Sequence, residues 1–330
     1  MKKTLLSLTI ILAMFAGNAQ LITYEPFNYN VGDTLPSPPW TGVNTGDQIF
    51  VTNGNLSSVG FANPVGNKVS FNGIGRDYQS AFTSNTTGTV YLSLLMQVTD
   101  TGLLNSTNGG YFSGFASSTT TFGGAIWTRK ATNGYNIGLT ARTSNTAIVW
   151  DATDILTNTT VLVVVSYNLV SDTTNDVVKL WLNPSSTDFG ATIEPTPTLT
   201  TTNTGTDLTA INRIFIRQDS NTETPFLDID EIRVGNSWAS VTPATTGINE
   251  ISNNNIINVF PNPAINLVTI SSKELISHVN IYDFQGRIVQ EYDFNGTTDI
   301  KLNISDLSNG IYNIFVNSTN GKSFSTKLIK

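Results

Sequence analysis

Short apolar runs, separated by clusters of Gly, Asn, Thr and Ser, recur along most of this chain. Two of them are TVYLSLLMQV at residues 89–98 and TVLVVVSYNL at residues 160–169. No segment keeps apolar residues at helical spacing over three turns, whereas short strands bounded by turn residues are typical of all-β sandwiches and barrels. The run at 160–169 is apolar at consecutive positions, so we expect a central strand that is covered on both faces.

The first 19 residues have the pattern of a secretory signal peptide. Lys2 and Lys3 precede a short apolar run, Leu5–Phe15, and small residues lead to a cleavage site after Ala19. The apolar run is too short to cross a bilayer, and no later run is long enough. We therefore expect an exported, soluble chain with no transmembrane segment after signal cleavage.

The charge balance and the metal-binding residue types exclude several classes of function. Without Lys2 and Lys3, 15 basic residues remain against 24 acidic ones, which argues against a nucleic-acid partner. The chain has no Cys and a single His, His278, so a disulfide framework and sites for zinc, copper or haem are not expected. A metal here would be a hard cation bound by oxygen atoms, foremost calcium.

The composition divides the chain into two domains. A long strand-rich segment, residues 21–243, is followed by a polar stretch, ATTGINEISNNN at 244–255, that has little to bury and reads as a linker. Residues 256–330 carry about seven further strand signals and an Asn320-Gly321 dipeptide typical of a tight hairpin turn. This last block predicts a small immunoglobulin-like β-sandwich.

Three stretches of the last block carry a family resemblance: VFPNPAINLVTI at 259–270, VNIYDFQGRIV at 279–289 and LSNGIYNIFV at 307–316. They resemble the type A C-terminal sorting domain of the type IX secretion system of Bacteroidetes. The resemblance implies recognition by the type IX translocon, passage across the outer membrane, and a protein that is released or attached to the cell surface. The alternative is an ordinary immunoglobulin-like module with no role in export. The residues that we assign to the sorting motif are Pro261, Asn262, Pro263, Gly286, Gly310 and Tyr312.

Local chemistry supports specific conformations within that motif. Pro261 and Pro263 flank Asn262 and restrict the backbone where the block begins. Gly286 and Gly310 fall at turns, where we expect a positive φ.

The long segment resembles the concanavalin A-like, laminin-G-like jelly rolls of secreted bacterial proteins. The resemblance lies in YEPFNYNVGDTL at 24–35, VKLWLNP at 178–184 and DIDEIRVGNSWASVTP at 228–243. Such sandwiches include glycoside hydrolases, polysaccharide lyases, lectins and adhesion modules, so the fold alone does not decide the function. Our first interpretation is a non-catalytic carbohydrate-binding or adhesion module. A polysaccharide-degrading enzyme and a purely structural surface protein are the alternatives.

Aromatic residues near the middle of the segment are candidates for sugar stacking. Trp127, Tyr135, Trp150 and Trp181 lie on or near predicted strands, and Trp127 and Trp150 have polar neighbours. The alternative is that these rings fill the core. An acidic surface rich in Asn and Thr favours neutral glycans, for which hydrogen bonds matter more than charge.

The stretch FLDIDEIRVG at 226–235 combines apolar and charged residues in one predicted strand. By strict alternation, Leu227 and Ile229 point to one side and Ile232 and Val234 to the other. A sandwich strand has one core face, so we predict a β-bulge at Asp230-Glu231 that restores the parity.

The carboxylates of this stretch suggest a metal site more than a catalytic one. Laminarinase-like enzymes place Glu, Asp and Glu at alternate positions of one strand; here the first and last Glu are missing, so we assign no catalytic residue. The last strand of such jelly rolls usually pairs near the first, which would bring Asp228 and Asp230 towards Glu25. We predict a calcium site from these three residues. The alternative is a salt bridge, for example with Arg233.

Overall fold

The computed structural model describes residues 20–143, 147–172, 174–202, 205–245, 257–319 and 323–330, and of Ser323 only the backbone. The predicted signal peptide, most of the predicted linker and the Asn320-Gly321 turn lie outside the described residues. The chain divides into two compact units, residues 1–246 and 247–330, and this division falls inside the segment predicted as a linker.

The first unit is built from strands, with one short helix near its end. Its strands are β1 (Leu21–Glu25), β2 (Trp40–Gly42), β3 (Phe50–Thr52), β4 (Lys68–Phe71), β5 (Tyr78–Asn85), β6 (Gly88–Asp100), β7 (Gly110–Ala116), β8 (Phe122–Ala131), β9 (Gly134–Thr140), β10 (Val149–Trp150), β11 (Val161–Leu169), β12 (Val177–Leu182), β13 (Leu199–Thr202), β14 (Ile211–Ile216) and β15 (Phe226–Gly235). A 3₁₀ turn (Ser186–Asp188) follows β12, and the helix α1 (Trp238–Val241) follows β15.

These strands form two antiparallel sheets, as predicted for a jelly-roll sandwich. One sheet has eight strands in the order β13-β12-β11-β6-β15-β4-β3, with β1 also paired to β15. The other has seven strands in the order β10-β9-β8-β7-β14-β5-β2. The pairing of β1 with β15 joins the start and the end of the unit, with Glu25 opposite Ile232.

The main core lies between the two sheets and draws on both of them. Leu94, Val163 and Ile229 enter it from the eight-stranded sheet, and Phe112 and Ile126 from the seven-stranded sheet. The alternate residues on each strand point away from this core. The two outer faces therefore decide where a ligand can bind.

The outer face of the eight-stranded sheet is covered by other parts of the chain. Leu162 and Val164 of β11 pack there in a second buried cluster with Trp181 of β12 and with Trp238 of α1. Every residue of β11 except Asn168 is buried, so the predicted central strand with both faces covered is confirmed.

The predicted bulge in β15 is confirmed as well. The pairing of β15 with β6 shifts register between Asp230 and Arg233, and Glu231 has a φ of 53°. A positive φ is uncommon outside glycine and reverses the side to which the following residues point. As a result Leu227, Ile229, Ile232 and Val234 all reach the main core.

The outer face of the seven-stranded sheet is less completely covered. It carries a small cluster in which Trp127 and Phe215 are buried, while Tyr111, Phe122, Ile148 and Trp150 pack against them and are only partly buried.

The second unit has five strands in its described residues where the sequence predicts about seven. They are β16 (Ile257–Phe260), β17 (Leu267–Tyr282), β18 (Ile288–Asn303), β19 (Ile311–Ser318) and β20 (Ser323–Ile329). Two pairs of predicted strands each merge into one 16-residue strand, β17 and β18. A register shift between Ser271 and Ile276 marks the irregularity between the halves of β17. All five strands belong to one sheet, which encloses a core that includes Val279, Ile314 and Leu328.

The sorting-motif residues of this unit have structural roles. Asn262 bonds to the backbone of β20, donating to the carbonyl of Lys327 (2.7 Å) and accepting from the amide of Ile329 (2.9 Å). Tyr312 is buried, and its hydroxyl donates to the carbonyl of Ser308 (2.8 Å). Gly286 has the predicted positive φ, 77°. For Gly310 this prediction is wrong, because its φ is not positive; its backbone exchanges two hydrogen bonds with Lys330.

Within the described residues no helix is both long enough and apolar enough to cross a membrane.

Candidate functional site

Five aromatic rings lie together on the outer face of the seven-stranded sheet, and we call this surface the aromatic face. They are Tyr111, Phe122, Trp127, Trp150 and Phe215. Tyr111 of β7 is central: its ring centroid is 5.0 Å from that of Trp127 and 5.9 Å from that of Phe215. Trp127 and Phe215 lie on β8 and β14, which flank β7, so the order of the strands brings these rings to Tyr111. Irregular pairing between β7 and β8 interrupts strict alternation, so that Phe122 and Trp127 of β8 reach the same face.

Trp150 extends the aromatic face at the edge strand β10. It pairs with Gly138 of β9, and a Cβ atom at Gly138 would come within 2.7 Å of the indole. The absence of a side chain at Gly138 therefore allows the indole to lie against the sheet. Arg129 of β8 stacks on this indole with 4.4 Å between the guanidinium carbon and the ring centroid. The two side chains together form a flat cationic and apolar surface.

A cavity of about 400 Å³ opens beside Tyr111 and Trp127. Its polar lining includes Asn105, Asn108, Thr143, Arg217, Asp219, Thr222 and Glu223. The Arg217 guanidinium lies 4.1 Å from the Tyr111 ring centroid and forms an ion pair of 2.6 Å with Asp219. Aromatic walls with a few placed polar groups are the usual composition of a small-molecule site.

Burial shifts the pKa of Tyr111, which lines this cavity, and of Asp77, whose charge acts on Tyr111. The pKa of the Tyr111 hydroxyl is raised, chiefly by burial, although the positive charge of Arg217 acts in the opposite direction. The pKa of Asp77 is also raised by burial, against a hydrogen bond from the Gln218 amide that lowers it. The phenol of Tyr111 therefore keeps its proton at neutral pH and acts as a hydrogen-bond donor.

The predicted stacking residues separate into two groups. Trp127 and Trp150 lie on the aromatic face; Trp127 is only 4% exposed, and its indole N–H donates to Thr140 (2.8 Å). Tyr135 and Trp181 are buried in the main core and in the cluster over the eight-stranded sheet, respectively. For these two the prediction of a stacking surface is wrong: strand parity directs Tyr135 into the core, and Trp238 covers Trp181 on the outer side of the other sheet.

Sequence reasoning missed Tyr111, Phe215 and the arginines around them. The signal was present in RIFIR at 213–217, where two arginines and an aromatic residue alternate with isoleucines. Alternation predicts that Arg213, Phe215 and Arg217 share one face. The sequence does not indicate which of the two sheets leaves its outer face open.

The three residues of the predicted calcium site each have other partners. Glu25 accepts from the amide of Phe27 (2.7 Å), the hydroxyl of Tyr29 (2.6 Å) and the indole of Trp40 (2.9 Å). Asp228 forms an ion pair with Lys68 (2.5 Å).

Asp230 is fully buried and accepts from the amides of Leu56 (2.9 Å) and Glu231 (2.8 Å). No group of three His, Asp or Glu residues in the described ranges could hold a metal ion. The predicted grouping of Glu25, Asp228 and Asp230 is therefore not assembled, because Glu25 on β1 and the two aspartates on β15 each accept from separate donors.

The alternative for the stretch FLDIDEIRVG, a salt bridge with Arg233, is present, and its acidic partner is Glu231. Arg233 contacts Glu231 at 2.8 Å, and both side chains are almost fully buried. The hydroxyl of Tyr24 donates to the same carboxylate (2.8 Å), and the Arg233 guanidinium lies 4.0 Å from the Tyr24 ring centroid. The amide of Val65 donates to it as well (3.1 Å). This network joins the first strand, the last strand and the loop that covers them, so it has a structural role.

Comparison with protein families identifies the second unit. Residues 258–330 match the secretion system C-terminal sorting domain family. The chain thus carries a sorting domain of the type IX secretion system, and the protein is extracellular or displayed at the cell surface.

Comparison with solved structures returns similarly folded β-proteins of low identity. An alginate lyase is 12% identical with a TM-score of 0.39, over 66% of this chain and 96% of that one. Domain 4 of an extracellular arabinanase from Geobacillus stearothermophilus, solved with arabinotriose, is 16% identical with a TM-score of 0.39, over 68% and 98%. An endo-1,3-beta-glucanase from Streptomyces sioyaensis is 10% identical with a TM-score of 0.37, over 66% and 96%. None of the curated proteins compared with the chain matches it. Likeness at this level says nothing about what the aromatic face binds.

Proposed function

We propose that the first unit is a non-catalytic carbohydrate-binding or adhesion module, which the sorting domain delivers to the cell exterior through the type IX translocon. The observation that carries the proposal is the aromatic face, with its partly exposed rings beside a polar cavity. Exposed apolar groups that are contiguous and rimmed by polar residues mark interaction sites on soluble proteins.

The composition of the aromatic face supports a sugar ligand. The faces of pyranose rings are apolar and pack on Tyr and Trp, while their hydroxyl groups need donors and acceptors at the rim. Tyr111 and Trp150 supply the partly exposed rings, and Asn105, Asn108 and Thr222 supply the polar rim. The eight-stranded sheet offers no comparable surface in the described residues, because its outer face is covered.

One observation favours a polysaccharide-degrading enzyme as the second candidate. Asp219 and Glu223 line the same cavity, and glycosidases use a pair of carboxyl groups. Asp219, however, is engaged by Arg217. A lyase would need a base, and the raised pKa of Tyr111 disfavours the phenolate that could serve as one. The binding module is therefore the better-supported proposal.

A glycan array with the secreted protein, followed by a depolymerisation assay on every polysaccharide that binds, tests the proposal. We expect binding without cleavage, and loss of binding in Tyr111→Ala and Trp150→Ala. The matched control is Phe50→Ala, which removes an aromatic ring that is 46% exposed on the eight-stranded sheet. Binding that survives both face variants would refute the site, and release of oligosaccharides would favour the enzyme.

A further inference from the structure

We propose that the ligand of the aromatic face is an anionic polysaccharide, bearing carboxylate or sulfate groups. This inference rests on the proposed function and goes against the neutral glycan that the acidic composition favours. It comes from how the cationic side chains are distributed over the two sheets.

Cations are scarce in the first unit, and their partners differ between the sheets. Residues 20–245 contain 17 Asp and Glu against nine Lys and Arg. On the strands of the eight-stranded sheet, each cation forms an ion pair: Lys68 with Asp228, Lys179 with Glu194 and Arg233 with Glu231. In a chain with so many carboxylates, such pairing is the ordinary outcome.

The arginines on the strands of the seven-stranded sheet lack such partners. Arg129 and Arg213 form no ion pair with any carboxylate of the described residues. Arg129 donates to the amide oxygen of Asn136 (3.3 Å), and Arg213 donates to the amide oxygens of Asn212 (3.0 Å) and Gln79 (3.3 Å). Neutral amides orient the guanidinium groups and leave their charge uncompensated.

The carboxylate nearest to this network is already engaged. Asp154 accepts from the side chain of Asn136 (3.2 Å) and from the backbone amide of Asn133 (3.0 Å). Asn136 thus stands between Asp154 and Arg129, and the guanidinium of Arg129 remains stacked on Trp150. The charge is held beside an aromatic ring, where a sugar would stack.

The spacing of the arginines suits an extended ligand. Arg213 pairs with Ala116 at one end of β7, and Thr128, which precedes Arg129, pairs with Gly110 at the other end. Gly110 and Ala116 are six residues apart, which corresponds to about 20 Å along a strand, and Tyr111 of the aromatic cluster lies between them. A guanidinium binds carboxylate and sulfate oxygens through paired N–H donors, more strongly than it binds neutral hydroxyls. A polymer with repeated anionic groups would satisfy both ends of the face while its rings cover the centre.

Two pairs of polysaccharides, each with a charged and a neutral member, distinguish the effect of charge from the effect of the sugar chain. Polygalacturonate is compared with its methyl ester, and dextran sulfate with dextran, by calorimetric titration of the secreted protein at about 0.15 M salt, where long-range electrostatics are screened. We expect the charged member of at least one pair to bind about tenfold or more tightly than its neutral counterpart. The pair that shows the difference identifies carboxylate or sulfate as the recognised group.

Substitution of Arg or Lys by Gln shows which sheet is responsible for the tighter binding of the charged polymer. Joint Arg129→Gln and Arg213→Gln substitution should weaken binding of the charged polymer about tenfold or more without changing the thermal midpoint. Lys179→Gln removes one positive charge from the opposite sheet, where the joint variant removes two, and should leave binding unchanged. A loss of binding free energy with Lys179→Gln that is half or more of the loss with the joint arginine variant would show a response to net charge alone and would overturn the inference.

The remaining outcomes distinguish this inference from the proposed function. Equal binding of charged and neutral members, abolished by Trp150→Ala, would refute the anionic ligand and retain the binding module. The same conclusion follows if only neutral glycans of an array bind. If no polymer and no array glycan binds, both proposals fail.

Discussion

The fully buried carboxyl group of Asp230 should make the stability of the first unit fall as pH rises. Burial, together with the nearby charge of Glu231, raises the pKa of Asp230 to about 7. The hydrogen bonds from the amides of Leu56 and Glu231 and the charge of Lys68 act in the opposite direction. The folded protein therefore takes up a proton at this site below pH 7, whereas the carboxyl group in the unfolded chain, with a pKa of 3.8, is ionised.

The sign and size of the effect follow from proton linkage. Between about pH 4 and 7 the folded state binds one more proton than the unfolded state, so the free energy of unfolding decreases by about 1.4 kcal/mol per pH unit. The stabilisation is complete below the pKa that Asp230 has in the unfolded chain. It is lost as pH rises through the pKa that Asp230 has in the folded protein. From pH 5 to 7 the loss attributable to Asp230 is about 2 kcal/mol.

The variant Asp230→Asn has no carboxyl group to titrate and isolates this contribution. Urea unfolding at pH 5, 6 and 7 can be followed by tryptophan fluorescence, which reports on the first unit because Trp40, Trp127, Trp150, Trp181 and Trp238 all lie there. The free energy of unfolding of the native protein, relative to that of the variant, should decrease by about 2 kcal/mol between pH 5 and 7.

The control for this experiment is Asp33→Asn, which removes an exposed carboxyl group. It should leave the pH dependence as it is in the native protein. An unchanged pH dependence in Asp230→Asn would refute the reasoning. The reasoning would also be refuted if the native protein gained free energy of unfolding relative to Asp230→Asn from pH 5 to 7. That result would mean that the two backbone amides keep Asp230 ionised in the folded state.

Two further predictions concern the buried network and export. Glu231→Gln leaves the Arg233 guanidinium buried without its charged partner, so urea unfolding should show a loss of about 3–5 kcal/mol; a loss below about 1 kcal/mol would contradict a structural role. Deletion of residues 256–330 removes the sorting domain, so immunoblots should find the truncated protein retained in the cells; its arrival in the culture medium would refute the export assignment.

Local sequence patterns were enough to predict the strands and the bulge. The consecutive apolar residues at 161–165 already required a strand with both faces covered, since neither side could face water. Ile229 and Ile232 are three positions apart, so a regular strand would point them to opposite sides. A sandwich strand has a single core side, so the sequence already required a bulge between them. The strand count of the second unit was too high, because a register shift within β17 looks in the sequence like a break between two strands.

Long-range pairing decided what the sequence left open. Trp127 and Trp181 each follow an aliphatic residue on a strand, yet one borders a cavity and the other is enclosed by Trp238. The order of the strands places Trp127 on the sheet whose outer face is open. Likewise, Glu25, Asp228 and Asp230 come from paired strands, but each carboxylate meets donors from a different loop or strand.

The sequence by itself determined that this protein is an all-β chain with a C-terminal sorting domain, because strand periodicity, turn residues and the sorting motif are local patterns. Only the tertiary structure decided which outer face stays partly open. Loops and the helix α1 cover one sheet, and the other keeps aromatic rings on its outer face, with Arg129 and Arg213, which form no ion pair within the described residues. The physical reason is that exposure and charge compensation depend on which strands and loops meet in space, and those contacts join residues far apart in the chain.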